Sequence, residues 1–323
     1  MNGLLKEEAI LEGILIKCKE EFLWEVVGVK PIKRGYLNLK WKVDTTNGTF
    51  LVKQYHQKRL AKYDWHELHD ALKRQIRLSE EGFPTPKLLD VGEEVMLKSN
   101  DGELFVIMDY VEGDIISAGH VSAGQMYDLG LQTGKMHKWL NGEKSSVLVP
   151  AFNIPPKDVR IHFWQQKKEK AFDKTLFDLI EMQITLTKKI ALTEISEIDA
   201  GWAHRDLWLD NVLFNESKVA AILDLDRLKY DYPLLDVARM IISATLFEGE
   251  SQTELIDSFI NGYNKYHQLS KRQLLNSLRL LWYMESTWWI TEKKEQTSKP
   301  AQRFYEEMIW LTYHYEQLEQ LLE

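Results

Sequence analysis

"WAHRDLWLDNVLF", residues 202–214, decides how the chain is read. It sets a histidine, an arginine, two aspartates and an asparagine among apolar residues. The apolar run "VAAIL" follows and ends at Asp224, with Asp226 two positions on. Aspartate and asparagine are ordinary turn formers, so a polar turn between strands would explain the loop alone. It would not explain why the next apolar run also ends in a carboxylate. An acid, an amide and a strand-end acid in that order supply one group that accepts a proton and two oxygen ligands for a hard cation.

Working outward, residues 22 to about 111 read mostly as strands. "LKWKVDT" (39–45) alternates with period two, and "GTFLVKQY" follows across a turn at Asn47-Gly48. A helical stretch from about 58 to 81 ends at Gly82, and "ELFVIMDYV" (103–111) is an apolar run of buried-strand type. From about 122 the pattern becomes mainly helical, with Met126, Leu129, Thr133, Met136 and Leu140 at helical spacing. The strands "VLF" and "VAAILDL" within 202–226 interrupt it. The expected fold is α+β and bilobal: a small antiparallel-sheet lobe over 1–111, ending in a connecting strand, and a larger, mainly helical lobe over 112–323.

Composition narrows the partners. The 323 residues are 44% hydrophobic and 28% charged, ordinary for a globular protein, and no apolar run approaches the ~18 residues of a membrane span. A net charge of -8 argues against a nucleic-acid partner and suits a neutral or cationic small molecule. Cys18 stands alone, which excludes an internal disulfide and a multi-cysteine metal site. With an acidic start that lacks a cleavage signal, the expectation is a cytoplasmic protein.

His204, Arg205, Asp206, Leu207 and Asn211 match H-R-D-L-x-x-x-N, a kinase catalytic-loop pattern. Transfer of a phosphoryl group to a hydroxyl needs a carboxylate that takes the acceptor's proton, a role Asp206 fits. Asn211 offers an amide oxygen to Mg2+, and Asp224, at the end of a buried strand, a second ligand held rigidly. Lys53 in "FLVKQY" is placed as a phosphate-binding lysine on a strand. Gly35 and Asn38 in "KRGYLNLKWKV" lie between two strands, as a phosphate-covering turn would. Glu67 and Asp70 on the following helix are both candidates to orient Lys53, with Glu67 preferred. Asp109 and Val111 of "FVIMDYVEG" could offer backbone N–H and C=O groups to an adenine ring, with Met108 beside it. His137 reads as a structural hydrogen-bonding residue. Trp282, Trp288 and Trp289 read first as core, and as a wall for a cationic or sugar-like acceptor, with Glu285, if any of them line the site.

Together these segments resemble the aminoglycoside phosphotransferase / choline kinase-like superfamily, relatives of the protein kinases. The similarity runs from "GYLNLKWKVDTTNGTFLVKQY" through "EEGFPTPKLLDV", "FVIMDYVEG" and "LGLQTGKMH" to "HRDLWLDNVLF", "AILDLD" and "DYPLLDVARMI". The resemblance implies a protein-kinase-like fold with a five-stranded small lobe, dependence on ATP and Mg2+, and a small-molecule hydroxyl as acceptor: aminoglycoside-, choline-, homoserine- or sugar-like. It implies Asp206 as base, Asn211 and Asp224 on Mg2+, Lys53 on the nucleotide phosphates, and Asp236 as a support for the loop. One feature departs from the pattern: the family usually has a small residue where this chain has Arg205, which makes the loop superficially similar to a protein kinase's. But "DLD" stands where a protein kinase has D-F-G. Asp236 follows Asp224 by only twelve residues, which leaves no room for an activation loop and argues against a protein kinase. "DLW" is similar to fructosamine kinases and "YDYPLLDVARMI" to the spore-coat-associated branch. A noncatalytic kinase-fold binding or coat protein is the alternative class, and the intact set of Lys53, Asp206, Asn211 and Asp224 counts against it.

Overall fold

A computed structural model describes residues 2–34, 37–142, 148–171, 173–292 and 298–322. The chain divides into two compact units, Met1–Asp114 with Ala220–Leu228, and Ile115–Val219 with Lys229–Glu323.

The first unit opens with helix α1 (Asn2–Phe22), followed by β1 (Val26–Pro31), β2 (Lys40–Thr45) and β3 (Gly48–Gln54). Helices α2 (Gln57–Leu60) and α3 (Trp65–Glu80) come next, then β4 (Leu88–Leu89), β5 (Leu97–Lys98) and β6 (Leu104–Asp109). The strands form one antiparallel sheet in the order β1-β2-β3-β6-β4, with β5 also paired to β6, so six strands stand where five were expected. β6 is apolar from Leu104 to Met108 because both of its faces are covered. Phe105 and Ile107 pack with Ile14 and Cys18 of α1, while Val106 packs with Leu68 and Leu72 of α3. The sheet is therefore a middle layer between two helices. The 21-residue α1 was not anticipated, although Ile10, Ile14 and Cys18 recur at helical spacing and all pack on the sheet. In α3 the buried residues Leu68, Ala71, Leu72, Gln75 and Leu78 form one stripe, and the Asp64 side chain caps the helix by accepting from the Glu67 N–H at 3.1 Å.

The second unit is mainly helical. In chain order come α4 (Ala123–Leu140), α5 (Lys157–Glu169), α6 (Lys174–Lys189) and α7 (Leu192–Ile195), then β7 (Gly201–Ala203) and the two-stranded sheet of β8 (Val212–Asn215) and β9 (Lys218–Ile222). β10 (Lys229–Asp231), α8 (Pro233–Thr245), β11 (Leu246–Phe247) and β12 (Glu250–Ser251) follow, and α9 (Thr253–Tyr263), α10 (Lys271–Trp289), α11 (Lys299–Tyr313) and α12 (Leu318–Leu321) complete the chain. Ser122 and Gln125 start α4 with a reciprocal capping box. α4 lies backbone to backbone against α9: a Cβ on Gly130 would stand 2.1 Å from the Phe259 carbonyl oxygen, and one on Gly262 2.0 Å from that of Tyr127. The glycines of "LGLQTGKMH" thus serve close helix packing. That crossing brings His137 of α4 beside Tyr263 of α9, with 3.0 Å between ring nitrogen and hydroxyl. Among the described residues no helix is long and apolar enough to cross a membrane.

Candidate active site

In the first unit, Lys53 sits in β3 between β2 and β6, opposite Lys40 on one side and Val106 on the other. Both edges of its backbone are engaged, so the side chain leaves a fixed point on the α3 face. Only 2% of Lys53 is exposed, and its ammonium lies 2.7 Å from Asp224 Oδ1 and 2.6 Å from Asp226 Oδ2. Lys40 Nζ stands 3.6 Å from the other Asp224 oxygen, and the Tyr55 hydroxyl donates to Asp226 at 3.0 Å. Two lysines thus face two carboxylates. Burial works to lower the Lys53 pKa, but the charges of Asp224 and Asp226 prevail and hold it well above the usual range. Burial likewise works to raise Asp224, and Lys53 and Lys40 outweigh it, leaving the carboxyl far below the carboxylate range. Asp224 takes the left-handed conformation, φ 58°, where β9 breaks into a short turn over Leu225–Arg227.

The partners of Lys53 are therefore acids two positions apart in one turn and not an acid of α3. Glu67 stands exposed in the first turn of α3, and Asp70 pairs with Arg74 at 3.0 Å. Asp226, Lys40 and Tyr55 had no assigned part beforehand. The i, i+2 spacing of "DLD" was the available signal for Asp226.

Asn38 is buried, and its side-chain oxygen accepts from the His56 N–H at 3.1 Å, tying the loop before β2 to the start of α2. Its side-chain amide nitrogen is buried and has no hydrogen-bond partner among the described residues, a donor that a phosphate oxygen would satisfy. Gly35 lies outside the described residues. At the end of β6, Met108 pairs with Leu51 and Leu88, and the Asp109 N–H is donated to the Lys87 carbonyl at 2.9 Å. That N–H is spent within the sheet. Val111 makes no backbone hydrogen bond to another described residue, so its N–H and C=O remain to meet a ring edge.

In the second unit the loop leaves β7 at His204, which is fully buried. Asp236, in the first turn of α8, takes two successive backbone N–H groups: His204 at 2.6 Å and Arg205 at 2.8 Å. A carboxylate only accepts, so His137 Nε2 carries the proton it directs at Asp236 over 3.2 Å, and His137 Nδ1 accepts from Tyr263. Burial pushes the Asp236 carboxyl up, yet the His137 hydrogen bond, the two histidines and the Arg205 N–H outweigh it and hold it below its ordinary value. The Asp206 N–H donates to His204 Nδ1 at 3.2 Å, and the Asn211 amide nitrogen donates to the Asp206 carbonyl at 2.8 Å. The Leu209 N–H donates to Ser243 Oγ at 3.0 Å. The loop is thus held through its backbone at His204, Arg205, Asp206 and Leu209. Since the Asn211 nitrogen is occupied, its amide oxygen is the end left to act as a ligand.

Trp208 and Trp289 of the Trp-rich helix α10 meet at Phe304 of α11. The Trp208 and Trp289 rings lie 5.0 Å and 4.7 Å from the Phe304 ring, and Trp289 donates to Glu285 at 3.0 Å. Arg239 pairs with both Glu285 and Glu307 and covers Phe304 at 4.7 Å. Trp282, by contrast, is core: 1% exposed, with its ring N–H donated to Thr312 at 3.0 Å.

Asp224 in the first unit offers carboxylate oxygens and Asn211 in the second an oriented amide oxygen, each a donor of the kind a hard cation takes. Among the described residues there is no cluster of three or more His, Cys, Asp and Glu side chains that could hold a metal unaided.

A family model for the phosphotransferase enzyme family matches residues 28–274, more than half of the chain. The chain belongs to that family. A homoserine kinase of Rhodopseudomonas palustris is 24% identical over 251 residues, covering 75% of this chain and 71% of the relative. A homoserine kinase of Bradyrhizobium diazoefficiens is 25% identical over 262 residues, covering 78% and 74%. Among solved structures, a microcompartment-associated aminopropanol kinase superposes with a TM-score of 0.63 at 16% identity, covering 95% of this chain and 98% of that one. An amicoumacin kinase, solved in complex with AMP-PNP, Ca2+ and its substrate, gives 0.62 at 14% identity, covering 99% and 96%. The fold is kinase-like, and the protein is a small-molecule phosphotransferase.

Proposed function

We propose that the protein moves the γ-phosphate of ATP, with Mg2+, to a hydroxyl of a small molecule of the aminoglycoside, choline, homoserine or sugar-like kind. Asp206 accepts the proton of the attacking hydroxyl and aligns it. Residues 1–111 serve the nucleotide: Lys53 the phosphates, Asn38 and Gly35 the covering turn, and Val111 and Asp109 the adenine edge beside Met108. Residues 112–323 serve catalysis and the acceptor, with the aromatic and acidic wall of Trp208, Trp289 and Glu285 as the acceptor's side. Asn211 and Asp224 would hold Mg2+, which supplies charge neutralisation at the phosphate oxygens. With Cys18 its single cysteine and buried, the chain uses no internal disulfide, which suits a cytoplasmic setting.

The observation that carries this reading is the Asp236 clamp. It fixes two backbone N–H groups directly before Asp206, so the chain reaches the proposed base from an anchored backbone. The test is Asp206→Asn, which keeps size and turn preference. Turnover is expected to fall by about a hundredfold or more, with MgATP affinity and melting temperature nearly unchanged. A screen of hydroxyl-bearing metabolites and aminoglycosides for ATP consumption supplies the acceptor. Wild-type turnover in the variant removes Asp206 from the chemistry, and the absence of any MgATP-dependent thermal shift would favour the noncatalytic class.

A further inference from the structure

Arg205, one residue before Asp206, has no part in the chemistry above, yet it is among the most constrained residues in the second unit. Its backbone is left-handed, φ 70°, a conformation that residues with a Cβ take up only when their surroundings impose it. Two aspartates impose it from opposite ends of the residue. Asp236 accepts the Arg205 backbone N–H at 2.8 Å, and Asp231, the last residue of β10, lies 2.8 Å from the guanidinium. Asp231 is fully buried and sits opposite Gly201 in β7, the strand that runs into the loop. Phe152 closes the arrangement: its ring lies 4.1 Å from the guanidinium carbon, its N–H donates to Asp231 at 3.4 Å, and Trp288 packs on it at 5.2 Å.

We infer that the Arg205–Asp231 ion pair is a positioning device for the base: by locking residue 205 left-handed at both backbone and side chain, it fixes the direction in which the chain presents Asp206. Arg205 and Asp231 then act on the transfer step through Asp206 and touch neither reactant. The inference rests on the reading of Asp206 as the base.

The charge on Asp231 is not there for stability. Burial pushes its pKa up to about 6, with Arg205 and the Phe152 N–H pulling down, the Asp236 charge adding to the rise and Lys229 opposing it. A carboxyl that holds its proton more tightly when folded than when unfolded contributes stability that is lost as pH rises from about 4 through 6. At neutral pH the ionised form therefore costs stability. Asparagine keeps an acceptor for the Phe152 N–H and removes that cost, while leaving Arg205 without its counter-charge. A purely structural pair predicts the opposite balance.

The experiment compares wild type with Arg205→Ala, Asp231→Asn, the double variant and Asp206→Asn. It measures ADP release from MgATP with water as acceptor, MgATP affinity, melting temperature, and amide hydrogen exchange over the loop in the full-length protein. Each single variant is expected to lower kcat by about tenfold to a hundredfold, with KM for MgATP within about twofold and faster exchange at 204–207. The double variant is expected to be no worse than the poorer single, because both act through one contact. Asp231→Asn should not lower the melting temperature, and the loss of turnover below about pH 6 in wild type should be absent from it. Additive losses, loop exchange unchanged in both single variants, or Arg205→Ala turning over at the wild-type rate overturns the inference. An inactive Asp206→Asn beside fully active pair variants rejects the positioning role alone. An active Asp206→Asn rejects the base and, with it, anything positioned for it.

Discussion

The two units hold their candidate residues by opposite means. Around Asp236 the partners are the backbone N–H groups of His204 and Arg205 and the His137 ring, and Asp206, the proposed base, follows directly on that anchored backbone. Around Lys53 the working residue is itself the hub, its ammonium shared between Asp224 and Asp226. One half is a scaffold that presents a residue; the other is a balance of full charges in which no member can leave alone. Removing one partner of a buried ion pair leaves an uncompensated charge, whereas weakening one hydrogen bond to a carboxylate does not.

That contrast is broken most directly at Lys53. Lys53→Met keeps the length of the side chain but leaves Asp224 with the more distant Lys40 and Asp226 with the Tyr55 hydroxyl. Unfolding stability is expected to drop by about 3–5 kcal/mol, along with phosphotransfer, as read by denaturant titration and ADP release. Adding Asp226→Asn should restore part of the stability and none of the activity, because it removes a charge without restoring a phosphate ligand. If Lys53→Met unfolds at the wild-type midpoint, the cluster is not the charge balance described.

Asp236→Asn should act more weakly on the fold. Asparagine still accepts one N–H, so the expected loss is about 1.5–3 kcal/mol, the range for hydrogen bonds to a charged group. Turnover should fall more than nucleotide affinity, because residues 204 and 205 lose their shared anchor. The acid limb has a definite sign. The Asp236 pKa is held down in the folded protein, so the stability it contributes is complete above the unfolded carboxyl value near 4 and is lost as pH falls below it. In Asp236→Asn that part of the acid sensitivity should vanish. Equal acid midpoints for variant and wild type would deny that His137 and the two N–H groups stabilise the ionised form.

How much of this could be read in advance follows the same division. Asp206, Asn211 and Asp224 are proposed from one stretch of sequence where residue type and spacing point to chemistry. Lys53 is proposed because a charged residue in an apolar strand stands out locally. What could not be read were pairings fixed by the fold. Lys53 and Asp226 are 173 residues apart and meet only because β9 ends in a left-handed turn at Asp224. The short strands β7 and β10 are three residues each, too brief for periodicity to reveal, yet their register sets Asp231 beside the loop. Helix α1 was the reverse case: its apolar spacing was legible, but that stretch was weighed for targeting signals and not for a packed face.

The smallest expected effect sharpens the comparison where sequence reasoning preferred a different partner. A helix acid at Glu67 was the leading choice to orient Lys53, by analogy with a lysine–glutamate pair in kinase-like lobes. In the structure Glu67 is exposed in the first turn of α3, where a negative charge near a helix N-terminus contributes a few tenths of a kcal/mol to about 1 kcal/mol. The Lys53 ammonium is already flanked by two carboxylates at 2.6 and 2.7 Å. A third acid would add negative charge to a cluster already balanced by Lys40. Glu67→Ala is therefore expected to change ADP release and MgATP affinity by less than about twofold, while Asp226→Asn in a parallel assay changes both the unfolding midpoint and turnover. A tenfold loss of turnover in Glu67→Ala with unchanged stability would give Lys53 a second partner on α3 during the reaction. The charge balance seen here would then be one of two arrangements that the lysine adopts.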